Sequence, residues 1–157
     1  MKIKKSLIYI LFFVIGILTF SISNVSKIIA EIRREVNKID KNIKQYKMVY
    51  RELSANSNET LYYDEKGELI KFVGSYNGYR GGNVFGSDEF YYKNGKRIFL
   101  YEVEKVYEWD DENGGLSDKY KREEKRYYYD NNEKLIRYID ENGKIIENSK
   151  ELSKILR

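Results

Sequence analysis

Tyr62-Tyr63-Asp64-Glu65-Lys66-Gly67-Glu68-Leu69-Ile70 decides the fold, because the chain writes the same phrase twice more. It returns as Tyr91-Tyr92-Lys93-Asn94-Gly95-Lys96-Arg97-Ile98-Phe99 and as Tyr128-Tyr129-Asp130-Asn131-Asn132-Glu133-Lys134-Leu135-Ile136. In each copy the second tyrosine stands six residues before the first aliphatic of the following run. Aromatic and β-branched residues on either side of a short polar turn are the pattern of a β-hairpin. Three such hairpins predict an aromatic-rich antiparallel meander of about six strands. Asn94-Gly95 is the strongest of the turn signals, since both central positions of a type I′ turn need positive φ. Asp64-Glu65-Lys66-Gly67 reads as a slightly longer loop closing on glycine, with asparagine taking that role in the third copy.

Aligning the three copies on their tyrosines places Ile70 with Phe99 and Ile136, and Phe72 with Tyr101 and Tyr138. That face is uniformly apolar or aromatic and is the expected core. The alternate face carries Leu69, Lys71 and Val73, then Ile98, Leu100 and Glu102, then Leu135, Arg137 and Ile139, a mixed set that suits partial solvation. Tyr62, Tyr91 and Tyr128 share the alternate face by register, forming a three-ring strip of possible ligand-facing aromatics, with core or edge packing as the other explanation.

Outward from the hairpins, the N-terminal side holds a heptad pattern. Val25, Ile29, Ile32, Val36, Ile39, Ile43, Tyr46, Tyr50 and Leu53 alternate spacings of four and three, which predicts an amphipathic helix within residues 24–56. Its narrow stripe could lie across the sheet or build a coiled-coil dimer; aromatic Tyr46 and Tyr50 favour the sheet, and with it a monomer over a homodimer. Before it, Lys2, Lys4 and Lys5 precede the apolar run Leu7–Phe20. This predicts a signal peptide or an uncleaved membrane anchor over residues 1–23, a transmembrane helix in the latter case, and export to the periplasm or beyond. The meander is expected over 57–147. Asn148 with Glu151 three residues later resembles a capping box and opens a short C-terminal helix over 148–157. The fold class is therefore α+β.

Composition narrows the chemistry. The 157 residues contain no cysteine and no histidine, which removes disulfides, thiolate metal sites and every catalytic arrangement built on imidazole. Residues 27–51 hold eight basic and three acidic side chains, whereas residues 52–157 hold 18 basic and 22 acidic. A cationic helix beside an anionic sheet gives no basic stripe for nucleic acid. Gly78-Tyr79-Arg80-Gly81-Gly82-Asn83 lacks the spacing and lysine of a phosphate loop, and Asp110-Asp111-Glu112-Asn113-Gly114-Gly115 lacks the ligand pattern of a calcium loop. Both read as connections. No residue is singled out as catalytic or metal-binding, and no cofactor is expected.

The order of basic helix, Tyr-Tyr-Asp hairpin, glycine-containing loop, Glu-Phe-Tyr-Tyr hairpin and closing Arg-Tyr-Tyr-Tyr-Asp…Lys-Leu-Ile-Arg-Tyr unit resembles a loose group of uncharacterised exported bacterial proteins. In these a signal sequence precedes one helix and a meander, and the likeness spans Ile29 to Ile146. It implies a fold and a location, and carries over no catalytic residue. The Tyr-Asp hairpins are also similar to YD-type and MORN-like repeats, but copies 29 and 37 residues apart lack the regular period of those arrays. The expectation is a non-enzymatic binding or inhibitor module that meets an envelope protein or glycan. The alternatives are a membrane-anchored structural protein assembling through its heptad helix, and a carboxylate-dependent hydrolase of envelope glycans.

Overall fold

The computed structural model describes residues 24–79, 82–110, 112 and 114–155. Residues 24–41 are helical (α1), a short 3-10 turn follows at Ile43–Gln45, and eight antiparallel strands then run in sequence order across one open sheet. The strands are β1 (Lys47–Ser54), β2 (Ser57–Tyr63), β3 (Leu69–Tyr79), β4 (Val84–Lys93), β5 (Lys96–Asp110), β6 (Gly115–Tyr129), β7 (Leu135–Ile139) and β8 (Ile145–Ile146). A short helix, α2 (Ser149–Ile155), follows the last strand. The architecture is the α+β class that the hairpin pattern predicts.

Residues 1–23, where the signal peptide or anchor is expected, lie outside the described residues. Among the described residues no helix is long and apolar enough to cross a membrane. For the described residues the expected transmembrane helix and membrane attachment are corrected: α1 carries Lys27, Glu31, Arg33, Arg34, Glu35 and Lys38, far too many charges for a span.

The apolar stripe of α1 lies on the sheet. Ile29, Ile32 and Ile39 are buried against Tyr91, Ile98, Phe99, Tyr128 and Ile139, with Val25, Ile28, Val36, Ile43 and Tyr46 packed around them. The seam that could have formed a coiled coil is therefore already covered within the chain. The helix ends earlier than the heptads suggest. The Asn42 side chain donates to the carbonyl of Lys38 at 2.8 Å, and the 3-10 turn still delivers Ile43 and Tyr46 to the same core. Beyond it the 4-3 spacing continues by coincidence. Lys47–Ser54 is a strand whose backbone pairs with β2, setting Val49 opposite Leu61, so that Leu61 is buried instead of lying on the sheet edge. This extra strand, together with β8, raises the count to eight.

Each tyrosine hairpin contains a bulge at the same place. Tyr63 pairs with Leu69 but Tyr62 with Lys71; Tyr92 with Arg97 but Tyr91 with Phe99; Tyr129 with Leu135 but Tyr128 with Arg137. The extra residues are Ile70, Ile98 and Ile136. A bulge turns two successive side chains toward one face, and all three isoleucines join the cluster beneath α1. Parity is thereby switched within each hairpin. The expected uniform face is divided: Phe99 and Tyr101 lie on the α1 side, whereas Phe72 and Tyr138 lie on the opposite side in the row Leu61, Phe72, Phe90, Leu100, Tyr127, Tyr138. There Leu152 of α2 covers Leu100, Tyr127, Tyr129, Leu135 and Tyr138.

The loops share one grammar. Asp64, Asp130 and Asp140 each accept, through Oδ1, the backbone N–H groups two and four residues on. The fourth loop residue is left-handed in every case: Gly67, Glu133 and Gly143. In the third hairpin that position thus belongs to Glu133, not to an asparagine, and the Asp140 loop is a further copy that joins β7 to β8. Tyr79 pairs with Val84, so the glycine-rich stretch closes another hairpin, with Arg80 and Gly81 outside the described residues.

Candidate functional site

The row Met48, Tyr62, Lys71, Tyr91, Phe99, Tyr128, Arg137 crosses the sheet on the α1 side. Tyr62, Tyr91 and Tyr128 thus share a face, but it is the covered one. Tyr91 and Tyr128 are only 2% and 3% exposed, and Phe99 lies between them with ring centroids 5.6 and 4.9 Å away. Tyr62 is half-buried at the outer end of the row. The expected ligand-facing strip is corrected: two of its three rings form the floor under Ile29 and Ile32.

A buried cation sits within this row. Lys71 Nζ lies 2.8 Å from Asp40 at the end of α1, 2.7 Å from Glu89 on β4 and 2.7 Å from the Tyr91 hydroxyl. That hydroxyl has one proton to donate, and Glu89 Oε2 at 2.9 Å is its nearest acceptor. Burial alone would lower the Lys71 pKa, but its hydrogen bonds to Asp40 and Glu89 outweigh this and raise it above the ordinary value. Burial beside the two carboxylates also raises Tyr91. A lysine held so firmly in its charged form is no nucleophile. It ties α1 to the centre of the sheet.

The opposite face carries carboxylates where α2 does not reach. Asp88 is directly across from Glu102, and Glu104 directly across from Glu123. Like charges in opposed positions destabilise a sheet. Tyr127 donates to Glu102 and Tyr76 to Glu104, each at 2.8 Å, which relieves part of the repulsion. Burial, then Glu102 and Glu104, push Asp88 up to about 6, against a smaller opposing pull from Lys125. The folded protein therefore binds this proton more tightly than the unfolded chain. This group's contribution to stability is greatest below the ordinary value of 3.8 and declines as pH rises through about 6. Asp88→Asn is expected to raise stability at pH 8 by about 1 kcal/mol, after discounting for solvent screening, and to change little at pH 3.5; paired thermal melts check this.

Tyr76 reaches Glu104 by lying over Gly86. A Cβ built at Gly86 would stand 2.6 Å from the Val103 carbonyl oxygen and 2.7 Å from the Tyr76 hydroxyl. Gly86→Ala must displace backbone as well as the tyrosine, and is expected to cost about 1–3 kcal/mol in urea unfolding. Among the described residues no group of three or more acidic side chains is placed to hold a metal ion.

The remaining surface of interest is the far end of β5 and β6. These strands are 15 residues each, and β4 accompanies β5 only as far as Val106. On the other side β7 accompanies β6 only from Arg126 onward. The resulting two-stranded arm exposes Trp109 (59%), Leu116 (37%) and Tyr120 (46%), with Trp109 directly across from Leu116. Tyr107 meets Phe85 edge-to-face and Tyr120 at a tilt, with ring centroids 5.3 and 5.1 Å away, and Lys105 lies over the Tyr120 ring at 4.8 Å. Beside this aromatic group is a depression of about 240 Å³ lined by Phe85, Gly86, Ser87, Val103, Lys105 and Arg122. Sequence reasoning missed the arm because it treated the acidic loop as the feature and its flanks as ordinary strands. Trp109 and Leu116, placed symmetrically about that loop, were the available signal. The chain matches no protein-family model, no curated protein and no solved structure.

Proposed function

We propose that the protein is an exported, non-enzymatic binding module that meets an envelope partner through the β5–β6 arm. One observation carries the reading: a projecting hairpin holds tryptophan, leucine and tyrosine in water, beside a cation stacked on the tyrosine. Tryptophan, tyrosine and arginine dominate the energetics of protein contacts, and a clustered exposed apolar patch marks such a contact. Export rests on the lysines and apolar run at the start of the chain and on the likeness to exported bacterial proteins. A photo-crosslinking amino acid at Trp109 or Leu116, introduced in the native host, should capture one discrete partner. The same probe at Glu65, in the loop at the opposite end of the sheet, should not. Equal capture from both ends, or none from the arm, contradicts the reading.

A second reading is favoured by Asp88 alone, whose raised pKa beside Glu102 suits a general acid in glycoside hydrolysis. It requires release of soluble product from peptidoglycan or glycan preparations, lost in Asp88→Asn. Inactivity of the wild-type chain across such a panel removes it.

A further inference from the structure

Besides the two-residue outer strand β8, the described residues leave two longer unpaired edges on the sheet, and they are built differently. The outer side of β6 before Arg126 reads Leu116-Ser117-Asp118-Lys119-Tyr120-Lys121-Arg122-Glu123-Glu124-Lys125, where alternating charges discourage another strand. The β1 edge reads Lys47-Met48-Val49-Tyr50-Arg51-Glu52-Leu53-Ser54 and exposes Met48, Tyr50 and Leu53 at 59%, 57% and 62%. Its neighbours on both sides of the sheet are apolar or aromatic. Met48 continues the row of Tyr62 on the α1 face, and Val49 continues the row of Leu61, Phe72 and Phe90 on the other. A strand added outside β1 would extend both rows and satisfy its outer backbone groups.

Charge selects the occupant. Lys41, Lys44 and Lys47 are exposed along the passage from α1 into β1, and among the described residues none is placed in an ion pair. Arg51 is held by Glu59 at 3.0 Å. A second copy pairing through Val49 would set Lys47 opposite Arg51 and bring two sets of these lysines together, which like-charge repulsion opposes. We infer that β1 is a docking edge for an acidic, extended segment of a partner protein, which adds as a ninth strand with its carboxylates toward Lys41, Lys44 and Lys47. This surface is separate from the β5–β6 arm and does not depend on it. Backbone pairing supplies the affinity in strand addition, and side chains supply the choice of partner.

The test uses the full chain and two ten-residue probes, each alternating valine and threonine in its first half, one ending in four glutamates and the other in four lysines. Antiparallel addition brings the charged half against Lys47. The glutamate peptide should bind, should slow hydrogen exchange at the Lys47–Ser54 amides, and should weaken at least tenfold as salt rises from 50 to 500 mM, on the order expected for screened surface charge. The lysine peptide should bind at least tenfold more weakly. Lys44→Glu with Lys47→Glu should abolish the preference, and Met48→Lys with Tyr50→Lys should remove binding of both probes while near-ultraviolet circular dichroism stays native, since these side chains are exposed. Trp109→Ala should leave all of this unchanged. Equal binding of the two peptides, binding without protection of β1, or protection of β1 that depends on protein concentration in the absence of peptide overturns the proposal; the last result would make the occupant a second copy.

Discussion

Lys71→Met is expected to destabilise the protein by about 3–4 kcal/mol, as removal of one partner from a buried ion network generally does. The side chain is 10% exposed and its ammonium meets Asp40, Glu89 and the Tyr91 hydroxyl together. Methionine fills the volume but leaves two carboxylates facing each other with no cation between them. Asp40 is 45% exposed and can turn to water, which holds the loss toward the lower end of that range; Glu89, at 24%, has less freedom. Urea unfolding followed by circular dichroism measures the loss, and Lys71→Met with Glu89→Gln should recover part of it. The wild-type contribution has a defined pH dependence. Because the folded pKa of Lys71 lies above its ordinary value of 10.5, the stabilisation is complete below that value and is lost as pH rises through the folded one.

The second large effect concerns Tyr129, which is 1% exposed and packed with Leu100, Tyr127, Leu135 and Tyr138 under Leu152. Tyr129→Ala empties the middle of that cluster and is expected to cost about 3–5 kcal/mol, the usual range for truncating a buried aromatic. Tyr129→Phe should behave in the opposite manner. The Tyr129 hydroxyl is buried without a hydrogen-bond partner among the described residues, so deleting it removes a desolvated polar group and leaves the packing in place. The stacking of Arg97 over the ring at 4.2 Å survives in the phenylalanine variant. Stability equal to or slightly above wild type is the expected outcome in the same urea assay. A loss above about 1 kcal/mol would show that the hydroxyl is bonded after all.

The fold was legible in the sequence wherever a signal was local. Asn94-Gly95 takes the two positive φ values of its turn, the apolar stripe from Val25 to Ile43 meets the sheet, and the segment after Asn148 is helical. Facing was legible only in part, because it depends on one residue. Nothing in the string Leu69-Ile70-Lys71 announces that Ile70 is extra in its strand, yet that bulge moves Lys71 from a mixed solvated face into the core beneath α1. The same one-residue slip occurs at Ile98. There the two-residue turn also shortens the hairpin, so Phe99 is equivalent to Lys71 and Arg137, not to Ile70 and Ile136.

The helix boundary was obscured for another reason. Tyr46, Tyr50 and Leu53 fit a heptad, but Val49 and Tyr50 also suit a strand, and the exposed backbone of β2 decided between them. Of the candidate site, the aromatic strip was read in the right register on the wrong side. Asp88 could not have been chosen from 25 acidic residues, since its environment is made by burial, by Glu102 directly across and by Glu104 diagonally beyond it, which only the pairing of β4 with β5 brings together.

That the tyrosine repeat builds the core and leaves recognition to other surfaces is tested most directly by nitrating the folded full chain with tetranitromethane and mapping the modified tyrosines by mass spectrometry. Tyr50 and Tyr120, 57% and 46% exposed, should react while Tyr91, Tyr128 and Tyr129 stay unmodified until the protein is unfolded. Rapid nitration of Tyr91 and Tyr128 in the native state would contradict the burial of the repeat beneath α1 and return those rings to the surface.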